Sequence, residues 1–341
     1  MKSSQSIRKS QRPSIVRFDD TVRESIEQQV LRITRSEELV KLRALAKLCG
    51  RDFFDDPSLR AVAWRRILEV LELAMPEEKK FRGKKKQKKK KNDLRKLEIL
   101  DTCFALGVAC NLVGDLDDAK RYQERAKEGY EEQLGRENEK ALEATYSLTM
   151  LTCKSEEELI EKLRDLAKRM ERALGEENVV TLKTLNTLGN MLKNNGQYEE
   201  AIKVWERCLA GQMKVLGEDH METSMTLGNL GNVYNKLRNY EKALEYYERA
   251  LKGNEKLLGK NHPSTLMTVE RSAILYKKTE DYGKTEELYQ RALEGYEAQL
   301  GKDHKDTKRC TKNFKICLEM SGNSARLAEL IMSYPWLNSK K

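Results

Sequence analysis

The three histidines of the chain, His220, His262 and His304, recur every 42 residues in the contexts LGEDH, LGKNH and LGKDH. Imidazole is a common metal ligand and a common general base near neutral pH, so a regular set of three invites both readings. The spacing argues against them. A zinc ion holds its nitrogen ligands at about 2.0–2.1 Å, whereas layers of packed helices lie roughly 10 Å apart. Each imidazole also follows a glycine by three residues, and His262 precedes Pro263, a residue suited to the first helical turn. A loop and helix-capping role is expected, with no metal site.

Other catalytic constellations are missing from the sequence. There is no P-loop, no G-x-G-x-x-G after a strand, no H-E-x-x-H and no nucleophile elbow. The expectation is no enzyme and no cofactor. The cysteines, Cys49, Cys103, Cys110, Cys153, Cys208, Cys310 and Cys317, form no C-x-x-C pair. The seven-residue spacings 103/110 and 310/317 put each pair on one helix face. They read as buried, reduced thiols of a cytosolic or nuclear protein.

A second charge-bearing feature is the run KKFRGKKKQKKKK at 79–91, with ten Lys/Arg and no acid. The net charge is +10, so the rest of the chain is formally neutral. Lys84, Lys85, Lys86, Lys88, Lys89, Lys90 and Lys91 are read as a solvated, disordered insertion over 79–93. A nuclear-import signal, or contact with RNA or an anionic membrane, is the alternative, and no aromatics are interleaved among these lysines for base stacking.

A third group is carboxamide-rich. Asn186, Asn190 and Asn194 are four residues apart and form one helical stripe, and Asn232 lies 42 after Asn190. Carboxamides both donate and accept, which suits gripping the main chain of an extended peptide. Lys183, Lys193, Lys236, Lys277 and Lys278 accompany them and favour an acidic ligand.

The elements that must position these residues are read from internal repetition. Leu-Gly marks end at Gly135, Gly175, Gly217, Gly259 and Gly301, the last four 42 apart and the first 40 before the second. Each interval holds two helical halves. In 176–217, Leu182, Leu185, Leu188 and Leu192 stripe the first half, and Ala201, Val204, Trp205, Cys208 and Leu209 the second. Small residues align at Gly189, Gly231 and Ala273, and large ones at Trp205, Tyr247 and Tyr289. This pairing lets two helices approach while a ring fills the gap to the next pair.

The pattern L-G-x-x-Y, Y-x-x-A and Y-x-R-A resembles tetratricopeptide repeats. The 42-residue period with LLGKNHPSTL at 257–266 resembles the kinesin light chain subclass. The resemblance implies an all-α, right-handed superhelical solenoid of stacked antiparallel helix pairs. Repeats are expected at 94–135, 136–175 (degenerate), 176–217, 218–259 and 260–301, with capping helices and a tail at 302–341. Before them come a disordered tail at 1–20 and a helical segment at 21–78, read as a degenerate repeat because Trp64-Arg-Arg-Ile-Leu matches Trp205-Glu-Arg-Cys-Leu.

In such solenoids the first helices line a concave groove. Groove positions carried over from the family are Lys183, Asn186, Asn190, Lys193 and Asn194, then Met225, Gly228, Asn232, Asn235 and Lys236, then Met267, Glu270, Ile274, Lys277 and Lys278. The carboxylate clamp of chaperone-tail binders is matched at Asn190, Asn229 and Arg271. Its two lysines are replaced by Asn186 and Met267. The implied function is a non-catalytic scaffold or adaptor that holds an extended acidic peptide, in the cytoplasm. The alternative is a nuclear or RNA-associated factor acting through 79–91. The heptad pattern around Ile26, Val30 and Ile33 stops within two heptads, which speaks against a kinesin heavy chain as partner. No run approaches 18 apolar residues, so no membrane span is expected.

Overall fold

The structure, a computed structural model, describes residues 57–73 and 85–338. Among these residues every regular element is helical. The described residues form two compact units, divided between Lys162 and Leu163.

The first unit contains α1 (Pro57–Leu73), α2 (Lys85–Val113), α3 (Leu116–Leu134), α4 (Glu139–Thr152) and the start of α5 (Glu156–Leu174). Successive helices from α1 to α4 pack on one another. Ala63, Ile67, Cys103, Leu106, Ala119 and Ala126 are buried between them. Small side chains dominate because helices joined by short turns pack closely. The Tyr130 hydroxyl donates to Asp101 Oδ1 at 2.6 Å, and Lys140 Nζ pairs with the same carboxylate.

The lysine-rich segment differs from its expected disorder. From Lys85 onward it is the first part of α2, continuous with the apolar stripe that follows Asp93. Lysine and glutamine are good helix formers, and a packed helix propagates backward at little cost once its nucleus exists. Lys84, like the segments 1–20 and 21–56, lies outside the described residues.

The second unit takes up α5 and continues with α6 (Val179–Asn194), α7 (Tyr198–Val215), α8 (Met221–Lys236), α9 (Tyr240–Leu258), α10 (Pro263–Lys278), α11 (Tyr282–Leu300), α12 (Lys305–Ser321) and α13 (Ser324–Ser333). A 3₁₀ turn, Pro335–Asn338, follows. These are stacked helix pairs, an all-α tetratricopeptide-type solenoid. A Cβ added at Gly189 would lie 2.6 Å from the Trp205 indole, and one at Gly231 would lie 2.6 Å from the Tyr247 ring. Glycine is required there by close approach. Trp205, Tyr247 and Tyr289 are fully buried.

The histidines are caps. His220, His262 and His304 are N-cap residues whose Nδ1 accepts from the backbone N–H of Glu222, Ser264 and Asp306, at 3.2 Å each. Thr223, Thr265 and Thr307 reach back to the carbonyls of Gly217, Gly259 and Gly301. Each Leu-Gly mark therefore ends one helix and anchors the next. Gly259, with φ of 90°, adopts a conformation that other residues resist.

Bonds between successive pairs define two faces in this unit. First helices meet where Lys278 reaches Asn235 and Arg309 reaches Glu270. Second helices meet where Arg207 reaches Glu171, Arg249 reaches Met213 and Arg291 reaches Glu255. At the end, Tyr334 is buried against the edge of Trp336, and Lys315 donates to the Leu337 carbonyl. These contacts pack the C-terminal turn against α12 and α13, while Ile316, Met320 and Met332 stay exposed.

Candidate peptide-binding face

The residues carried over as groove positions lie on the first helices α6, α8 and α10, with Gly228 and Glu270 buried there. On α6, Lys183 and Asn194 are exposed, and Asn186, Asn190 and Lys193 are half-buried. The carboxamides are partly engaged inside the protein. Asn186 Oδ1 accepts from Trp205 Nε1 at 3.0 Å, and Asn190 Nδ2 donates to the Asn186 carbonyl at 3.0 Å. On α8, Asn232 Oδ1 accepts from the Tyr247 hydroxyl at 2.7 Å. The buried rings of α7 and α9 thus tie their polar ends to the facing first helices. Burial pushes the Tyr247 hydroxyl up to about 12, and the nearby Arg271 guanidinium works against that rise.

Arg271 on α10 leans over α8. A Cβ added at Gly228 would lie 3.7 Å from Arg271 Nη1. Asn235 Oδ1 accepts from Lys278 Nζ at 2.7 Å, and that ammonium lies 5.5 Å from the Tyr240 ring centroid. Lys193, Asn194, Asn229 and Lys277 enter none of these bonds.

Two arrangements are missing from the sequence-level site. One is an ionic cluster. Glu270, 3% exposed, accepts from Arg309 Nη2 at 2.8 Å and from Asn313 Nδ2 at 3.0 Å. Glu270 stands where Asn186 and Gly228 stand in the preceding units, so its charge is engaged within the protein. The Glu270 hydrogen bond holds the Arg309 guanidinium still further above its usual range. The other is a cavity of about 400 Å³ lined by Asn235, Lys236, Arg238, Tyr240 and Lys278. The structure brings three sequence-level residues together there and adds Arg238 and Tyr240. The 42-residue recurrence of Tyr198, Tyr240 and Tyr282 was a legible signal for the latter.

The described cysteines are unbonded. Burial pushes Cys208 up to about 12 and Cys103 and Cys317 up to about 11, which keeps them as unreactive thiols. Among the described residues, Cys110, Asp115 and Asp118 bring three potential metal ligands within 4.8 Å of one another. Asp115 caps α3, however, and Asp118 pairs with Arg65 and Arg121. Also among the described residues, no helix is long and apolar enough to cross a membrane.

A family model described as tetratricopeptide repeat matches residues 180–256 and 222–282. A crystal structure of BtubC (BKLC) from P. vanneervenii is similar over 72% of this chain and 92% of its own, at 18% identity and a TM-score of 0.60. The nearly identical TPR-like repeats of a kinesin light chain from Podosopora anserina are similar over 60% of this chain and 98% of theirs, at 20% identity and a TM-score of 0.51. A signal transduction ATPase with a tetratricopeptide repeat sensor from Pyrococcus horikoshii is similar over 93% of this chain, at 17% identity and a TM-score of 0.59. This chain spans 48% of that larger protein. Comparison with curated protein sequences gave no match.

The fold and the matched model define a protein-interaction scaffold of helix pairs. Residues 180–282 match the tetratricopeptide repeat model, and the stacked helix pairs share the fold of the kinesin-light-chain-type repeats above.

Proposed function

We propose that this protein is a non-catalytic scaffold whose first-helix face, in the unit from α6 to α12, holds an extended acidic peptide of a partner protein. The observation that carries this reading is the charge of the face. Lys183, Lys193, Lys236, Arg271, Lys277 and Lys278 are distributed along α6, α8 and α10, while Glu270 is paired with Arg309. A ligand laid across these helices meets an excess of cations. The carboxamides contribute less than their number suggests. Asn186 and Asn232 each use their side-chain oxygen on a buried ring, so the groups that these three leave for a main chain are Asn186 Nδ2, Asn232 Nδ2 and Asn190 Oδ1.

The test is fluorescence anisotropy of the full chain against a pool of extended peptides rich in Asp and Glu, beside a matched pool rich in Lys and Arg. The acidic pool should bind selectively and weaken as salt rises. Lys193→Glu with Lys236→Glu should reduce its affinity about tenfold or more, because two attractive pairs become repulsive. Equal binding of both pools, or an affinity indifferent to the charge reversal, overturns the proposal.

A further inference from the structure

The cavity at the C-terminal ends of α8 and α10 differs from its counterparts in a way that the general excess of cations does not explain. Its lining contains three cations and no carboxylate: Lys236 in the last turn of α8, Arg238 in the turn after it, and Lys278 in the last turn of α10. Lysines at helix C-termini are favoured by the helix dipole, which accounts for Lys236 and Lys278. Arg238, in the turn that follows, stands beside the same negative pole, but Gly196 and Glu280 at its equivalent places show that the pole does not demand a cation there.

The repeat supplies an internal control. The same corner one unit earlier is made by Lys193, Asn194, Gly196, Tyr198 and Lys236, and one unit later by Lys277, Lys278, Glu280, Tyr282 and Met320. The turn residue has positive φ in all three: 76° at Gly196, 59° at Arg238 and 61° at Glu280. Glycine adopts this conformation freely, while a side chain there is held at some cost in backbone energy. The later corner places a carboxylate at that point, and the earlier one places no side chain. Only the middle corner has cations at all three places that its own cavity brings together.

The remaining groups complete an anion-accepting set. Lys278 Nζ is steadied by Asn235 Oδ1 at 2.7 Å, which leaves two ammonium N–H groups as donors. Tyr240 lines the same space, with its ring centroid 5.5 Å from Lys278 Nζ. A carboxylate brings one charge. A phosphate monoester brings about −1.5 to −2 at neutral pH and three acceptor oxygens, which matches three cations with neighbouring donors.

We infer that this cavity accepts the phosphate of a phosphoserine or phosphothreonine carried by the acidic partner peptide, so that phosphorylation of the partner strengthens its hold. The inference rests on the peptide-binding reading above. It locates the regulated end of the face at Lys236, Arg238 and Lys278.

The experiment compares two peptide pools on the full chain by anisotropy, one with a fixed serine among degenerate acidic positions and one with phosphoserine at that position. Wild type should bind the phosphoserine pool about tenfold or more tightly than the serine pool. In Arg238→Gly that preference should collapse. The thermal midpoint of this variant should hold or rise, since Gly196 occupies the equivalent turn. Acidic binding with no phosphate preference, or a preference that survives Arg238→Gly, overturns this inference and leaves the peptide-binding reading standing. No binding of either pool overturns both. A third arm adds inorganic phosphate alone. Saturation by free phosphate as tight as by the phosphoserine pool makes this a small-anion site and overturns the peptide as the source.

Discussion

Tyr247 and Tyr289 occupy equivalent places in successive repeats and are both fully buried, yet deleting their hydroxyls should have opposite effects. The Tyr247 hydroxyl donates to Asn232 Oδ1 at 2.7 Å. The Tyr289 hydroxyl is buried with no hydrogen-bond partner. The cause is in the facing helix, where Ile274 stands at the position held by Asn190 and Asn232. Tyr247→Phe removes a formed hydrogen bond and should destabilise by about 0.5–1.5 kcal/mol. Tyr289→Phe removes a buried hydroxyl that lost its water on folding and regained nothing. It should be neutral or stabilising by about 1 kcal/mol. Urea unfolding followed by circular dichroism reads both as shifts in midpoint at constant slope. Ile274→Asn offers the missing acceptor, so its cost should be smaller with Tyr289 present than in the Tyr289→Phe background, a coupling that a double-mutant cycle isolates. A loss on Tyr289→Phe equal to that on Tyr247→Phe would refute the reasoning.

Three further outcomes follow from the packing. Gly189→Ala drives a Cβ to 2.6 Å from the Trp205 indole and should destabilise by about 1–3 kcal/mol, whereas Gly228→Ala meets only Arg271 at 3.7 Å and should stabilise by about 0.5–1 kcal/mol through helix propensity. Thermal denaturation should give these two substitutions opposite signs. Removing Arg309 (Arg309→Met) leaves buried Glu270 with only Asn313 and should cost about 3 kcal/mol, more than Glu270→Met, which leaves a half-exposed guanidinium able to rehydrate. Urea midpoints that fall in the reverse order would contradict this. Burial raises Cys208 from 9 and Tyr247 from 10 to about 12 each, so both stay neutral in the folded state at pH values where the unfolded chain ionises. Their contribution is complete below about pH 9 and is lost as pH rises toward 12, at about 1.4 kcal/mol per pH unit for each group titrating. A urea midpoint that holds constant from pH 8 to 11 would be inconsistent with that burial.

Much of the architecture was legible because it is written in local terms. A glycine that ends one helix, a histidine that caps the next and a leucine stripe between them are short-range signals, and each recurs at 42 residues. The lysine-rich segment misled because charge repulsion argued for a loop. Lysine's own helix propensity, joined to the packed stripe after Asp93, extends α2 back to Lys85. The face of first helices could be read from the repeat, but its bonding could not. Whether Asn232 points to a ligand or to Tyr247 depends on which atom of the second helix arrives beside it. Only the pairing of Tyr247 with Asn232, against Tyr289 with Ile274, hinted at the answer. Arg238 was hidden for another reason. It joins Lys278 across 40 residues of sequence, and turn residues carry no periodic mark.

The most direct test of the central claim is hydrogen exchange of the full chain with and without the saturating acidic peptide pool. The account predicts added protection in α6, α8 and α10, centred on the turns around Lys193, Lys236 and Lys278, with little change in α7, α9 and α11. Protection confined to the second helices, or to α2 around Lys85–Lys91, would contradict it.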